Sequence, residues 1–254
     1  MAYAILKKEK VRKKRRCPML KYQQTADEIE RYIEQHELKQ GDKLPILEEL
    51  IRQFAVSKTT MTKSLELLER KGIIFQVRGS GIFVRKTNRT GYIRLFSTQG
   101  FKQNLVGHTI ESTVLALEPT TATDNIAKNL GIEAGETVYY VKRIRYIDGK
   151  ILCLEESYYR QSIVPYLNRE IVEQSIFEYL ETALQLNIGF SDMYMHVGKL
   201  SAESARHLDL TEGDPGLTIE TVFHLTNGRP FDYSVITYHY EHSHFVVQAN
   251  GLYL

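Results

Sequence analysis

The sequence has little from which a covalent or membrane framework could be built. Only two cysteines, Cys17 and Cys153, occur in 254 residues. That count excludes a disulfide scaffold and fits a reducing cytoplasm. No apolar run approaches the roughly 18 residues that a membrane-spanning helix needs. The N-terminus lacks the apolar core of a secretory signal, because Ala4-Ile5-Leu6 runs directly into lysines. A Cys-x-x-Cys pair, a phosphate-cradling glycine loop and a nucleophile motif are also missing. No catalytic residue, cofactor or metal is therefore expected. The richest group of potential metal ligands is His239, His242 and His244 with Glu241. On a strand His242 and His244 share a face and His239 does not, so three ligands do not converge.

What is present is an ordinary globular composition, 43% hydrophobic and 25% charged, long enough for two domains. The net charge of +2 is unevenly spread. Residues 7–16 carry eight Lys/Arg and one Glu, and residues 57–86 carry seven Lys/Arg against Glu66 and Glu69. Residues 91–254 carry 12 basic and 20 acidic residues. A basic front and an acidic rear fit a module that touches phosphate backbone, joined to one that does not. The basic stretch within 1–20 reads either as a disordered tail that adds affinity for DNA or as the product of an early start codon, with Met19 as the true start.

Residues 46–84 are the most informative stretch. Tyr22, Ala26, Ile29 and Ile33 recur at helical spacing, which predicts an amphipathic helix over 22–36. Gly41-Asp42 and Pro45 interrupt it. Leu47, Leu50, Ile51 and Phe54 form a second helix, Ala55-Val56 a turn, and Ser57 an N-cap. A third helix over 57–70 turns Met61, Leu65 and Leu68 inward. Ser57, Lys58, Thr59, Thr60, Thr62 and Lys63 then crowd its positive N-terminal end, where phosphate is welcome. Lys58 is long enough to reach guanine O6/N7, and the threonines suit phosphates or a thymine methyl. Ile73–Val77 and Ile82–Arg85 form a hairpin whose small tip, Gly79-Ser80-Gly81, does not obstruct approach to a groove or backbone. The order is helix-turn-helix plus β-wing, a DNA-binding arrangement.

Residues 22–84 resemble the winged-helix domain of GntR-type bacterial repressors over its whole length. The family pattern Leu-Pro-Ser-Glu-Arg-x-Leu departs here to Leu44-Pro45-Ile46-Leu47-Glu48-Glu49-Leu50, so Glu48 stands where the family has a DNA-touching arginine. Lys58 and Thr62 also fall at positions often held by arginine. The resemblance implies the fold and double-stranded DNA as partner, with a base preference of its own.

A polar linker over 86–91 leads to a region of mixed strand and helix, 92–254. β-rich runs at 137–147 and 150–160 flank Asp148-Gly149, and runs at 217–226 and 229–240 flank Asn227-Gly228, both strong hairpin signals. Ala127, Leu130, Ile132, Gly135 and Glu136 match Ala205, Leu208, Leu210, Gly213 and Asp214 at an offset of 78. This internal repeat predicts one antiparallel sheet with helices on a face, an α+β domain. The arrangement resembles the UTRA effector domain of the HutC branch of GntR regulators, whose fold is similar to chorismate lyase.

Arg143 and Arg145 lie two apart on a strand and share a face, which suits phosphate or carboxylate. Glu155 and Asp232 on the return strands, near Tyr158 and Tyr238, suit sugar hydroxyls. Ser97 and Thr98 offer hydroxyls in a loop, and Ser175 caps a helix at 175–180. In similar UTRA regulators a phosphosugar is held by such an arginine pair, Ser/Thr loop and helix-start serine. The resemblance implies Ser97, Thr98, Arg143, Arg145 and Ser175 for the phosphate, with Glu155, Tyr158, Asp232 and Tyr238 for the rest. Tyr238-His239 departs from the usual Tyr-Arg. The expected function is a cytoplasmic, homodimeric repressor on a palindromic operator, controlled by a sugar phosphate. The alternatives are an amino-acid-like carboxylate as effector, or an enzyme on the chorismate-lyase-like domain.

Overall fold

The computed structural model describes residues 20–85, 92–94, 105 and 107–247. No helix among them is long and apolar enough to cross a membrane. The chain divides into two compact units, with the boundary between Asn88 and Arg89.

In the first unit, α1 (Lys21–Gln35) buries Ala26, Ile29 and Ile33 along one face. α2 (Leu47–Gln53) begins with Glu48 and Glu49 at its positive end, and the Glu49 carboxylate accepts from Ile46 N at 3.3 Å. α3 (Lys58–Arg70) is capped by Ser57, whose hydroxyl accepts from Thr60 N at 3.2 Å. Gly72, at φ +66°, turns the chain out of α3. β1 (Ile74–Val77) and β2 (Gly81–Val84) then form the wing. Leu44, Leu50, Met61, Leu65, Leu68, Ile74 and Val84 join the α1 residues in one core. The sequence marks residues 41–44 only as a break, yet they run beside β2. Gly41 N donates to Val84 O, Leu44 N to Ile82 O and Val84 N to Asp42 O, all within 2.9 Å.

The second unit is a six-stranded antiparallel sheet in the order β4-β5-β6-β9-β8-β7. The strands are β4 (Ile110–Thr121), β5 (Thr137–Ile147), β6 (Lys150–Arg160), β7 (Ile188–Lys199), β8 (Pro215–Leu225) and β9 (Pro230–His239). A short parallel pair, β3 (Tyr92–Arg94) and β10 (His244–Val246), lies apart from it.

The internal repeat is real and detailed. α4 (Asp124–Leu130) and α7 (Ala202–Leu208) are capped by Thr123 and Ser201. Both end on a left-handed residue, Gly131 at φ +57° and Asp209 at φ +56°. Ala122 N donates to Glu136 O at 2.8 Å, and Leu200 N to Asp214 O at 2.9 Å. The two halves meet where β6 pairs with β9.

Helices cover both faces of this sheet, not one as the repeat alone suggests. α4 packs against Val138, Val222 and Tyr233, and α7 against Ile144 and Leu154, all on the even-numbered face of β5. The opposite face carries Val141 and Tyr159. It is covered by α5 (Arg169–Glu173) and α6 (Ile176–Thr182), which bury Val172, Ile176 and Leu180. These two short helices lie between the repeats in sequence.

Candidate functional site

At the N-terminal end of α3, Ser57, Lys58, Thr59, Thr62 and Lys63 are exposed. Thr60 is half-buried, and its hydroxyl lies 2.9 Å from the Ser57 hydroxyl, so capping already engages it. Ser64 faces inward and donates to Tyr22 O and Thr60 O, each at 2.8 Å, which ties α3 to α1. In the wing, Gly79 and Ser80 are exposed. Gly81, at φ +128°, is half-covered by Lys43: a Cβ there would fall 2.6 Å from Lys43 Cε. Lys43 also places its ammonium 6.0 Å from the Phe83 ring centre. The sequence offers no sign of this lysine, because its approach depends on the extra edge at 41–44.

In the second unit the arginine pair is deeply buried and already counter-charged. Arg143 is 1% exposed. Its Nη2 and Nε donate to Glu155 at 2.8 and 3.0 Å, and its Nη1 donates to Val172 O at 2.6 Å. Arg145 Nε donates to Glu155 Oε2 at 2.6 Å. A file of hydrogen bonds leads away from this triad across the middle of the sheet. Ser157 Oγ donates to Glu155 at 3.2 Å and lies 2.8 Å from Ser234 Oγ, which donates to Asp232 Oδ1 at 2.6 Å. Asp232 Oδ2 and Tyr159 Oη, buried on paired strands, have no hydrogen-bond partner among the described residues.

Electrostatics sorts the two carboxyls. Burial opposes ionisation of Glu155, but the Arg143 and Arg145 charges outweigh it and hold this carboxyl well below the usual range. Asp232 is pushed up to about 8, first by burial and further by the Glu155 charge, against the Ser234 hydrogen bond and Arg143. One site thus holds an ionised carboxylate and a neutral acid a few residues apart.

Tyr238 shares this face, buried against Phe245 in an edge-to-face contact at 4.8 Å. Ser175 caps α6, accepting from Glu178 N at 3.2 Å, on the helical layer that covers the same face. Tyr158 does not belong with them. It is three residues from Glu155 on β6, so the pleat sends it to the opposite face. There it stacks between Tyr140 and Tyr233 at centroid distances of 5.1 and 6.1 Å. Ser97 and Thr98 lie outside the described residues. Sequence reasoning misses Ser157 and Ser234; their only signal is a polar residue at the inward register of a buried strand. The His239 and His242 rings stack at 3.9 Å. Among the described residues no group of three or more His, Cys, Asp or Glu could hold a metal ion.

A winged helix-turn-helix followed by a repeated α+β effector domain defines a class of ligand-responsive transcriptional regulator. The family model for the UTRA domain matches residues 106–244, and that for bacterial regulatory proteins of the gntR family matches residues 21–84. The chain belongs to the GntR family, with the winged-helix-plus-UTRA architecture of its HutC branch. It is 61% identical over 236 residues to the HTH-type transcriptional regulator YydK of Bacillus subtilis, covering 93% of this chain and 100% of that one. The crystal structure of YydK superposes with a TM-score of 0.82, covering 91% of this chain and 100% of that chain. The mannosyl-D-glycerate transport/metabolism system repressor MngR of Escherichia coli is 31% identical over 215 residues, 84% of this chain and 89% of MngR. A solved Staphylococcus aureus gene product matches at 39% identity and a TM-score of 0.60, covering 63% of this chain and 99% of that one.

Proposed function

We propose that this transcriptional regulator is a homodimeric repressor of a sugar-uptake or catabolic operon, released by a phosphosugar. The observation that carries the reading is the buried triad of Arg143, Arg145 and Glu155. Two guanidinium groups taken out of water are costly unless a strong acceptor holds them. The anionic end of an effector, competing with Glu155 for these donors, is the natural ligand for such a pair. Ser175, at the start of α6, would add a hydroxyl, while Glu155, Asp232 and Tyr238 would supply acceptors and donors for sugar hydroxyls. A relative named for a mannosyl-D-glycerate system supports a sugar-derived effector. On the DNA side, α3 would enter the major groove with Ser57, Lys58, Thr59, Thr62 and Lys63 outward, and the Gly79-Ser80-Gly81 tip would follow the backbone. In a dimer two such helices meet successive major grooves of a palindrome. An effector that favours a different spacing of the helices weakens DNA binding, and DNA weakens effector binding by the same factor.

One observation favours a second reading of the ligand. The arginine pair already holds a carboxylate, that of Glu155, with three hydrogen bonds of 3.0 Å or less. An amino-acid-like carboxylate is therefore the competing effector class.

A thermal-shift panel of sugar phosphates, the matching free sugars and amino-acid-like carboxylates separates the two, since a ligand that binds only the native state raises Tm. A shift with a sugar phosphate and none with its free sugar is expected. The Arg143→Ala/Arg145→Ala double variant should keep operator binding and lose release by that ligand. Shifts with carboxylates alone would replace the phosphosugar reading. Loss of operator binding with normal ligand response would remove the site assignment.

A further inference from the structure

The two edges of the six-stranded sheet are built differently. The β4 edge carries devices that discourage pairing: Pro119 lacks a donor, a bulge separates Val114 from Ala116, and Glu111 and Glu118 stand exposed. The β7 edge runs for 12 residues without a proline. Its side chains include some of the most exposed large apolar groups of the unit, Tyr194 at 64%, Val197 at 75% and Met195 at 46%. A long open edge of this kind is a template for another strand.

We propose that β7 pairs antiparallel with β7 of a second copy, about a twofold axis at Tyr194, joining the two sheets into one. A self-complementary strand is what a twofold interface demands, because residue i meets j while j meets i. With Tyr194 opposite itself, Asp192 lies opposite His196 of the partner subunit, and the contact occurs twice. Asp192 and His196 are both exposed; within the chain Asp192 is only 4.0 Å from His224 Nδ1. The same register sets Met193 opposite Met195 of the partner subunit. Met193 already packs on the core that holds Ile219 and Ile236, so the apolar face continues across the axis. Centring on Met193 would set Asp192 against Tyr194, and centring on Met195 would set it against Gly198. Neither matches acid to base. The second copy is therefore selected by charge as well as by the open edge.

This surface deepens the homodimer reading above and is tested apart from it. In antiparallel pairing, opposed Cα atoms lie about 4.5–5.5 Å apart, within disulfide reach. In a Cys17→Ser background, Tyr194→Cys should give a disulfide-linked dimer under mild oxidation, and Leu115→Cys on β4 should not. Tyr194→Lys/Met195→Lys should raise the dimer dissociation constant at least 100-fold by sedimentation, with circular dichroism unchanged. Asp192→His and His196→Asp should each weaken the dimer about two- to tenfold, and the double exchange should restore it. A monomeric wild-type chain, or a double-lysine variant that dimerises as tightly as wild type, would overturn the interface. A wild-type dimer cross-linked at 194 that captures no operator DNA would remove the repressor reading and leave the pairing intact.

Discussion

The two repeats of the effector unit share a backbone and differ in what they bury. Arg143 pairs across strands with Glu155, and their counterparts Thr221 and Ser234 pair in the same way. Arg145 opposite Cys153 becomes Phe223 opposite Asp232. The first repeat therefore holds two guanidiniums and an ionised carboxylate where the second holds hydroxyls and a ring. The helices, caps, glycine turns and hairpins are common to both. The fold needs only alternation, size and turn chemistry at these positions, so buried charge in one copy is an addition to the fold and not a requirement of it. Buried charge is seldom a net source of stability, which makes recognition its natural explanation here.

The strongest way to break this comparison is to remove the charge. Glu155→Gln leaves Arg143 and Arg145 buried without a counter-ion and should destabilise the chain by about 3–5 kcal/mol. Ser234→Ala, at the matching position, should cost about 1 kcal/mol. Urea unfolding of the two variants measures both. Equal losses would mean that the repeats are energetically alike and that the triad has no special standing.

A smaller effect sharpens the comparison through pH. Asp232, the one acid the second repeat adds to the file, is raised to about 8 in the folded chain. Unfolded, it releases its proton near 3.9. Between those values the folded state binds more protons, so this group lowers stability as pH rises, by up to about 1.4 kcal/mol per pH unit. Asp232→Asn mimics the protonated acid. It should differ little from wild type near pH 5 and become the more stable of the two as pH approaches 8. Glu155 acts in the opposite sense: its carboxyl is held low, so its contribution is present above about 4.3 and is lost as pH falls. Asp232→Asn should leave that acid limb in place. A stability difference independent of pH would show that Asp232 is ionised like an exposed acid.

Much of this architecture is legible in the residues themselves. Asp148-Gly149 marks a hairpin whose strands fall at 137–147 and 150–160, as the β-rich runs predict. Ser57 announces α3, and the spacing of Met61, Leu65 and Leu68 gives its buried face. Tyr158 is a place where two signals in the sequence conflict. Closeness to Glu155 suggests a shared site, but the two-residue period of a strand puts them on opposite faces, and the period prevails. The ion triad cannot be read in the same way. It depends on the register that sets Arg143 opposite Glu155 and on the bulge that follows Arg145, both fixed by the rest of the sheet. The layer of α5 and α6 is half visible. Ser175 signals one helix, but five residues at 169–173 are too few to show a helical period.

The smallest expected effect lies where the repeats use different residues for the same backbone. After α4 the left-handed position is Gly131, and after α7 it is Asp209, with φ of +57° and +56°. The following amides close the same bond, Ile132 N to Ala127 O at 3.0 Å and Leu210 N to Ala205 O at 2.9 Å. A left-handed residue with a Cβ costs about 1 kcal/mol, less for Asp than for most. Asp209→Gly relieves that cost and loses part of the gain to the greater freedom of the unfolded chain, so it should stabilise by roughly 0.5 kcal/mol. Gly131→Asp should cost more than this, because a Cβ there lies 3.4 Å from Pro230 Cγ, where the neighbouring ring has little room to yield. The exchange of both residues should therefore be slightly destabilising in urea unfolding. Full cancellation would mean that the two turns are equivalent in packing as well as in backbone, and that the repeats differ only in the charges they bury.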